Sequence, residues 1–369
     1  MRLENGLMDK KNRRQVLQAA ALASGLPIFE AACTSLPTTN VAASVLRVAV
    51  IDDYMRVAAS VADWSVLKTR ASVDFYHDHI FDEAALARRL APYDILVIER
   101  YRTPLTASLL AKLPKLKLIV STTGASDHID LPQAKKQNIT ICTTGTGTNM
   151  GNVGELTFGL LLDLARRTPW HNADMHAGKW QLQPTSTLWG KTLGLIGLGR
   201  VGTQMVGFAK PFNLKTVAWS TNLKDEQAQA AGTTRVELKD LLAQSDFVSV
   251  HYVLSDRSRG MIGAEHFAQM KPSAYFINTS RGPIVREKEL IAALQKKQIA
   301  GAALDVFEQE PIDPNNPLCR MENVILTPHI GYATVELMTA EYRDAVEDIV
   351  AYLDGKPIRV LKQRGTSED

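Results

Sequence analysis

Cysteine is scarce in this chain, with three in 369 residues, at positions 33, 142 and 319. Thiols so spaced make no disulfide framework and match no metal-ligand pattern, so neither a cross-linked module nor a metal centre is expected. Cys142, in an apolar run, and Cys319, in a Pro-rich loop, read as packing residues. An excess of one charge is equally lacking. The formal net charge is +3, part of it in the amino-terminal tail, which leaves no footprint for nucleic acid. No apolar run reaches the length of a membrane span, so no stable membrane insertion is expected. No internal repeat is evident, and low-complexity sequence is confined to the tail. What remains is a globular composition, 45% apolar and 22% charged, over a length that suggests two domains.

Residues 1–45 stand apart from the rest. Lys10, Lys11, Arg13 and Arg14 form a basic head, residues 16–29 an uncharged Ala-rich run, and a Ser/Thr/Pro spacer leads to Leu46. This is the layout of an export signal. Asn12-Arg13-Arg14-Gln15-Val16-Leu17-Gln18 resembles a twin-arginine signal, with Val16 where such signals usually carry Phe. A periplasmic protein is the expectation; a cytoplasmic one with an uncleaved extension is the alternative.

From Leu46 strands and helices alternate. Strands are expected at 46–51, 72–76, 95–98, 116–120 and 139–142, with helices at 53–69, 82–90 and 106–113. A linker of small residues, 143–148, precedes a largely apolar helix at 153–167 that must be buried between domains or subunits. A second series follows, with strands at 193–196, 216–219, 247–251, 275–278, 301–304 and 324–326, and a last helix at 334–353. The pattern predicts an α/β protein of two doubly wound parallel-sheet domains, Rossmann- or flavodoxin-like, with a cleft between them.

Between the strand at 193–196 and the helix at 203–209 stand Gly197, Gly199 and Gly202, a G-x-G-x-x-G in the context a dinucleotide site needs. The first glycine makes the turn, the second lets backbone approach a pyrophosphate, and the third lets helix and strand pack closely. The helix then aims unpaired N–H groups at the phosphates. Arg200 and Val201 lie inside this loop.

Ligands of open parallel sheets bind beyond the carboxyl ends of the strands. Asn278-Thr279-Ser280-Arg281-Gly282 follows one strand, Asp305 and then Glu310 the next, and Thr327-Pro328-His329-Ile330-Gly331 the last. A guanidinium, a carboxylate and an imidazole therefore rise from one sheet edge. That set suits hydride transfer on a 2-hydroxy or 2-oxo acid. The guanidinium grips the substrate carboxylate, and the imidazole takes or returns the proton of the alcohol.

These segments carry a resemblance to a known family. Residues 188–202, 270–290 (MKPSAYFINTSRGPIVREKEL), 303–311 (ALDVFEQEP) and 327–334 (TPHIGYAT) are similar to the D-isomer-specific 2-hydroxyacid dehydrogenases, and the likeness extends over nearly all of 46–361. The resemblance implies that Arg281 binds substrate, that Glu310 pairs with His329, and that His329 is the acid/base. Asp305 would hold the nicotinamide carboxamide, and the loop with Thr123, Gly124 and Ala125 would meet the substrate carboxylate. Ser220, Thr221, His251, Thr279 and Gly331 complete the expected cofactor contacts. A substrate-binding domain over 46–148 plus 331–362, a dinucleotide-binding domain over 149–330, a tail over 363–369 and a homodimer are also implied.

The expected activity is NAD- or NADP-dependent reduction of a 2-oxo acid, of the glyoxylate or hydroxypyruvate type. Formate or phosphite oxidation on the same scaffold, or a non-catalytic dinucleotide sensor, is the alternative. Ser220 stands where NAD-preferring relatives place an acidic residue, so the choice between NAD and NADP is open at this point. Arg100 and Arg102, just past a strand end, either face the cleft and favour an acidic or phosphorylated substrate or are surface cations.

Overall fold

A run such as Ile95–Ile98, apolar at every position, makes a stable strand only when both faces of its sheet are covered. The computed structural model, described over residues 45–123, 128–145, 151–181 and 183–361, bears this out in two all-parallel sheets. β1 (Leu46–Ile51), β2 (Ala71–Phe75), β3 (Ile95–Ile98), β4 (Leu118–Ser121) and β5 (Thr140–Thr143) form the first, in the order β2-β1-β3-β4-β5. The second contains β6 (Thr192–Ile196), β7 (Lys215–Trp219), β8 (Thr234–Arg235), β9 (Phe247–Val250), β10 (Tyr275–Asn278), β11 (Gly301–Leu304) and β12 (Val324–Leu326). Its order, β12-β11-β10-β9-β6-β7-β8, reverses direction between β6 and β9, which is where a doubly wound sheet opens its binding crevice. The export-signal segment, Cys33, Gly124, Ala125, residues 146–148 of the linker and the tail 363–369 lie outside the described residues.

Two helices place the chain relative to these sheets. Asn152–Arg166 buries Phe158, Leu161 and Leu164 against Leu193, Leu195 and Ile277 of the second sheet. Val335–Leu353, capped by Thr334 accepting the Leu337 N–H, returns to the first sheet. There it packs Met338, Tyr342 and Ile349 against Val48, Val50 and Val120. The first lobe is therefore completed by the end of the chain.

Some expectations need correction. The single helix at 53–69 is instead a short helix, Ala58–Val61, and a 3-10 turn, Trp64–Leu67. Local capping divides it. The Asp53 carboxylate accepts the N–H groups of Val57 and Ala58, Ala62 is extended, and Asp63 caps the second turn through Ser65. The helix after the glycine loop is Arg200–Ala209, starting inside the loop. An additional helix, Leu131–Lys136, forms behind the Asp130 cap. Cys319 is exposed while its neighbour Leu318 is buried, so of these two cysteines Cys142 alone is a packing residue.

Candidate active site

The glycine loop is built by close approach. A Cβ on Gly197, whose φ is +101°, would lie 2.4 Å from the His251 carbonyl oxygen, and one on Gly202 2.3 Å from the Gly197 carbonyl oxygen. Neither position admits a side chain. Gly199 differs: an added Cβ meets no protein atom within 4 Å, directly before the first turn of Arg200–Ala209. The backbone is thus bare at the point where a pyrophosphate would approach the helix N-terminus, and the loop fits a dinucleotide on its own geometry.

The ends of β10, β11 and β12 bring the reactive groups together. The Nδ1 atom of His329 lies 2.6 Å from Oε2 of Glu310, whose other oxygen accepts the Phe307 N–H at 2.9 Å. The carboxylate is therefore held from both sides, and Nε2 is the ring nitrogen left for other partners. Asp305 is 1% exposed and organises the loop that carries His329. One of its oxygens accepts from Thr327 Oγ1 (2.6 Å) and the Ile330 N–H (2.9 Å), the other from the Gly331 N–H (2.9 Å). Burial pushes the Asp305 carboxyl up, and these three donors pull it back. His329 itself sits at φ +53°, a left-handed conformation that this network supports. Arg281 donates to the Ser280 carbonyl at 2.7 Å and lies over the Tyr101 ring at 5.0 Å.

A cavity of about 680 Å³ joins these groups between the lobes. Gly199, Arg200, Val201, His251, Thr279, Arg281, Asp305, His329 and Gly331 line it from the second lobe, and Tyr101 and Thr123 from the first. Gly197 and Ser220 line an adjoining cavity of about 440 Å³ with Gly199 and His251. Thr221 bonds the Tyr252 hydroxyl at 2.7 Å, and Gly202 stands behind the loop as a packing position. His251 bonds Ser249 at 3.0 Å, and burial lowers its imidazole to about 4, keeping it neutral beside the cofactor cleft. Glu310 lines a third cavity, of about 240 Å³, which shares His329, Arg100, Tyr101 and Tyr332 with the first.

Sequence reasoning did not single out Tyr54, Tyr101 or Tyr332. The first two follow β1 and β3 on the carboxyl edge of the first sheet, so the strand-end rule applied to both sheets would have found them. Arg100 and Arg102 both face the cleft. Their heads are engaged by protein: Arg100 Nη2 meets Oε1 of Glu341 at 2.5 Å, and Arg102 Nη2 donates to the Tyr332 hydroxyl at 2.6 Å. Among the described residues no helix is long and apolar enough to cross a membrane.

The chain matches the model of the D-isomer specific 2-hydroxyacid dehydrogenase NAD binding domain over residues 158–331. It is 35% identical over 259 residues to a glyoxylate reductase of Korarchaeum cryptofilum, covering 69% of this chain and 78% of that one. It is 34% identical over 296 residues to a D-3-phosphoglycerate dehydrogenase of Synechocystis sp., covering 80% of this chain and 52% of the relative. The crystal structure of a phosphoglycerate oxidoreductase from Vibrio cholerae superposes with a TM-score of 0.79 at 33% identity, covering 84% of this chain and 99% of that one.

Proposed function

The chain belongs to the D-isomer-specific 2-hydroxyacid dehydrogenases, nicotinamide-dinucleotide-dependent oxidoreductases, and on that premise we propose that it reduces a 2-oxo acid to the D-2-hydroxy acid. One observation carries this reading: the His329–Glu310 couple, Arg281 and the glycine loop open on connected cavities of one interlobe crevice. The dinucleotide, when bound, supplies the hydride. Arg281 pairs with the substrate carboxylate through its fork of N–H donors, aided by the loop after Thr123. His329 gives its proton to the carbonyl oxygen as the alcohol forms, and takes it back in the reverse direction. Glu310 holds the imidazole through Nδ1 and leaves Nε2 to the substrate. Arg200, at the first turn of the glycine-loop helix, meets the pyrophosphate charge.

The relatives named for glyoxylate reduction and for phosphoglycerate oxidation have the 2-oxo or 2-hydroxy acid unit in common, and that unit is what Arg281 and His329 suit. Among the described residues no acidic side chain lines the cavity at Ser220, which supports use of both NADH and NADPH. The division into a substrate lobe, 46–148 with 331–362, and a dinucleotide lobe, 149–330, follows from the same reading. So does a homodimer, formed through the exposed apolar side chains that follow the helix Asn152–Arg166. The basic head and apolar run of the first residues support twin-arginine export. A replacement of Arg13 and Arg14 by Lys that leaves the protein periplasmic in fractionated cells refutes that route.

The deciding experiment is a panel of glyoxylate, hydroxypyruvate and larger 2-oxo acids with NADH and NADPH, the product resolved by chiral chromatography. The D-hydroxy acid is expected. An L product, or turnover of formate or phosphite alone, contradicts the assignment.

A further inference from the structure

Behind His329 the crevice continues into a cavity of about 240 Å³. A 2-oxo acid held by its carboxylate at Arg281 and by its carbonyl oxygen at His329 has one substituent left. Arg281 lines the cofactor-side cavity and not this one, whereas His329 lines both, so the substituent is directed here. The hydrogen of glyoxylate leaves such a space unfilled.

Its walls are apolar and aromatic: Tyr54, Phe307, Pro311, Ile312 and Pro328. Two guanidinium groups also reach it, and on charge alone they invite a phosphate. Both are already committed. Arg100 has its guanidinium carbon 3.9 Å from the centre of the Tyr332 ring and pairs with Glu341, which is 4% exposed. Arg102 lies over the Tyr54 ring at 4.3 Å and donates from Nη1 to the Asp52 carbonyl and from Nη2 to the Tyr332 hydroxyl. Arg102 thus spends both terminal nitrogens on protein acceptors, and Arg100 commits Nη2 to Glu341. A phosphate entering here competes with these protein acceptors, while a planar apolar group meets rings and a proline-rich wall.

We infer that the substrate is a 2-oxo acid with an aromatic or bulky apolar substituent, an arylpyruvate in chemical class, seated against Tyr54, Phe307 and Ile312. The inference rests on the reductase reading above and deepens it.

The test compares kcat/KM of the full chain for phenylpyruvate, 4-methyl-2-oxopentanoate, glyoxylate and 3-phosphohydroxypyruvate, with whichever reduced dinucleotide is used better. Phenylpyruvate is expected to exceed both glyoxylate and 3-phosphohydroxypyruvate by about 10²-fold, the worth of an aryl group fully removed from water. Ile312→Trp, which fills the cavity, should lower the phenylpyruvate-to-glyoxylate ratio by roughly 30-fold or more, chiefly through KM, and Ile312→Ala should lower it by less. Glyoxylate or the phosphorylated acid as best substrate, or a ratio unmoved by Ile312→Trp, overturns the inference and leaves the reductase standing. Failure to reduce any of the four acids overturns both.

Discussion

Arg100 and Glu341 are 241 residues apart in sequence and meet at 2.5 Å, the guanidinium reaching from the end of β3 and the carboxylate from the closing helix Val335–Leu353. The closing helix thereby buttresses a wall of the cavity behind His329. Desolvation pushes the Glu341 carboxyl up to about 8; Glu99 and Asp344 push the same way, and Arg100 opposes them. Asp348 on the same helix is pushed up to about 7, again by burial, with Arg359 opposing.

The sign of the pH dependence follows from these two groups. The folded chain keeps protons that the unfolded chain releases above about pH 4.5. Stability contributed in this way is fully present below that pH, is lost as the pH rises through about 7 and 8, and then levels off. Thermal melts should therefore show a lower Tm at pH 8.5 than at pH 6, by roughly 3 °C or more. Glu341→Gln together with Asp348→Asn should flatten that difference. A Tm that rises across this window contradicts the assignment of these groups.

The glycine loop offers a separation of folding from binding. Gly199→Ala adds a methyl where no protein atom lies within 4 Å, so Tm should hold within about 1 °C while dinucleotide affinity, read by calorimetry, falls about tenfold or more. Gly202→Ala drives its methyl into the Gly197 carbonyl and should lower stability itself, by about 1–3 kcal/mol. Unchanged affinity in Gly199→Ala removes the loop from the phosphate site.

Cofactor choice turns on Ser220, which follows β7 and lines the cavity beside Gly197. Ser220→Asp places a carboxylate where a 2′-phosphate has to sit. The Kd for NADPH should rise about a hundredfold or more, with NADH affinity kept or improved. Equal loss for both dinucleotides indicates that the ribose binds elsewhere.

Met175, Trp180 and Trp189 are 53%, 70% and 69% exposed, and the helix Thr168–His176 buries none of its residues. Large apolar groups left in water over one stretch suit a second copy of the chain. Light scattering should give a dimer for the native protein and a monomer for Met175→Glu with Trp180→Glu. A native monomer contradicts the homodimer.

Much of this architecture is legible in the residues. The strands at 95–98, 275–278, 301–304 and 324–326 occur with the bounds their apolar runs suggest, the first three inside covered sheets and the last at a sheet edge. Arg281, Glu310 and His329 are readable because each sits just past a strand end, where doubly wound sheets place ligands. Local periodicity misleads at 53–69, where the carboxylates of Asp53 and Asp63 cap two short turns and no continuous helix forms. Arg100 with Glu341, and Tyr332 under the Arg100 guanidinium with its hydroxyl bonded by Arg102, are invisible to any local pattern. Those contacts exist only once the last helix has folded back on the first sheet.

In the proposed reaction His329 moves the proton while the dinucleotide moves the hydride. The most direct test is His329→Gln, followed in a single turnover with reduced dinucleotide and the best 2-oxo acid, beside the dinucleotide Kd. The rate should fall ~10²–10⁴-fold with the Kd unchanged. Reduction at close to the native rate contradicts the account.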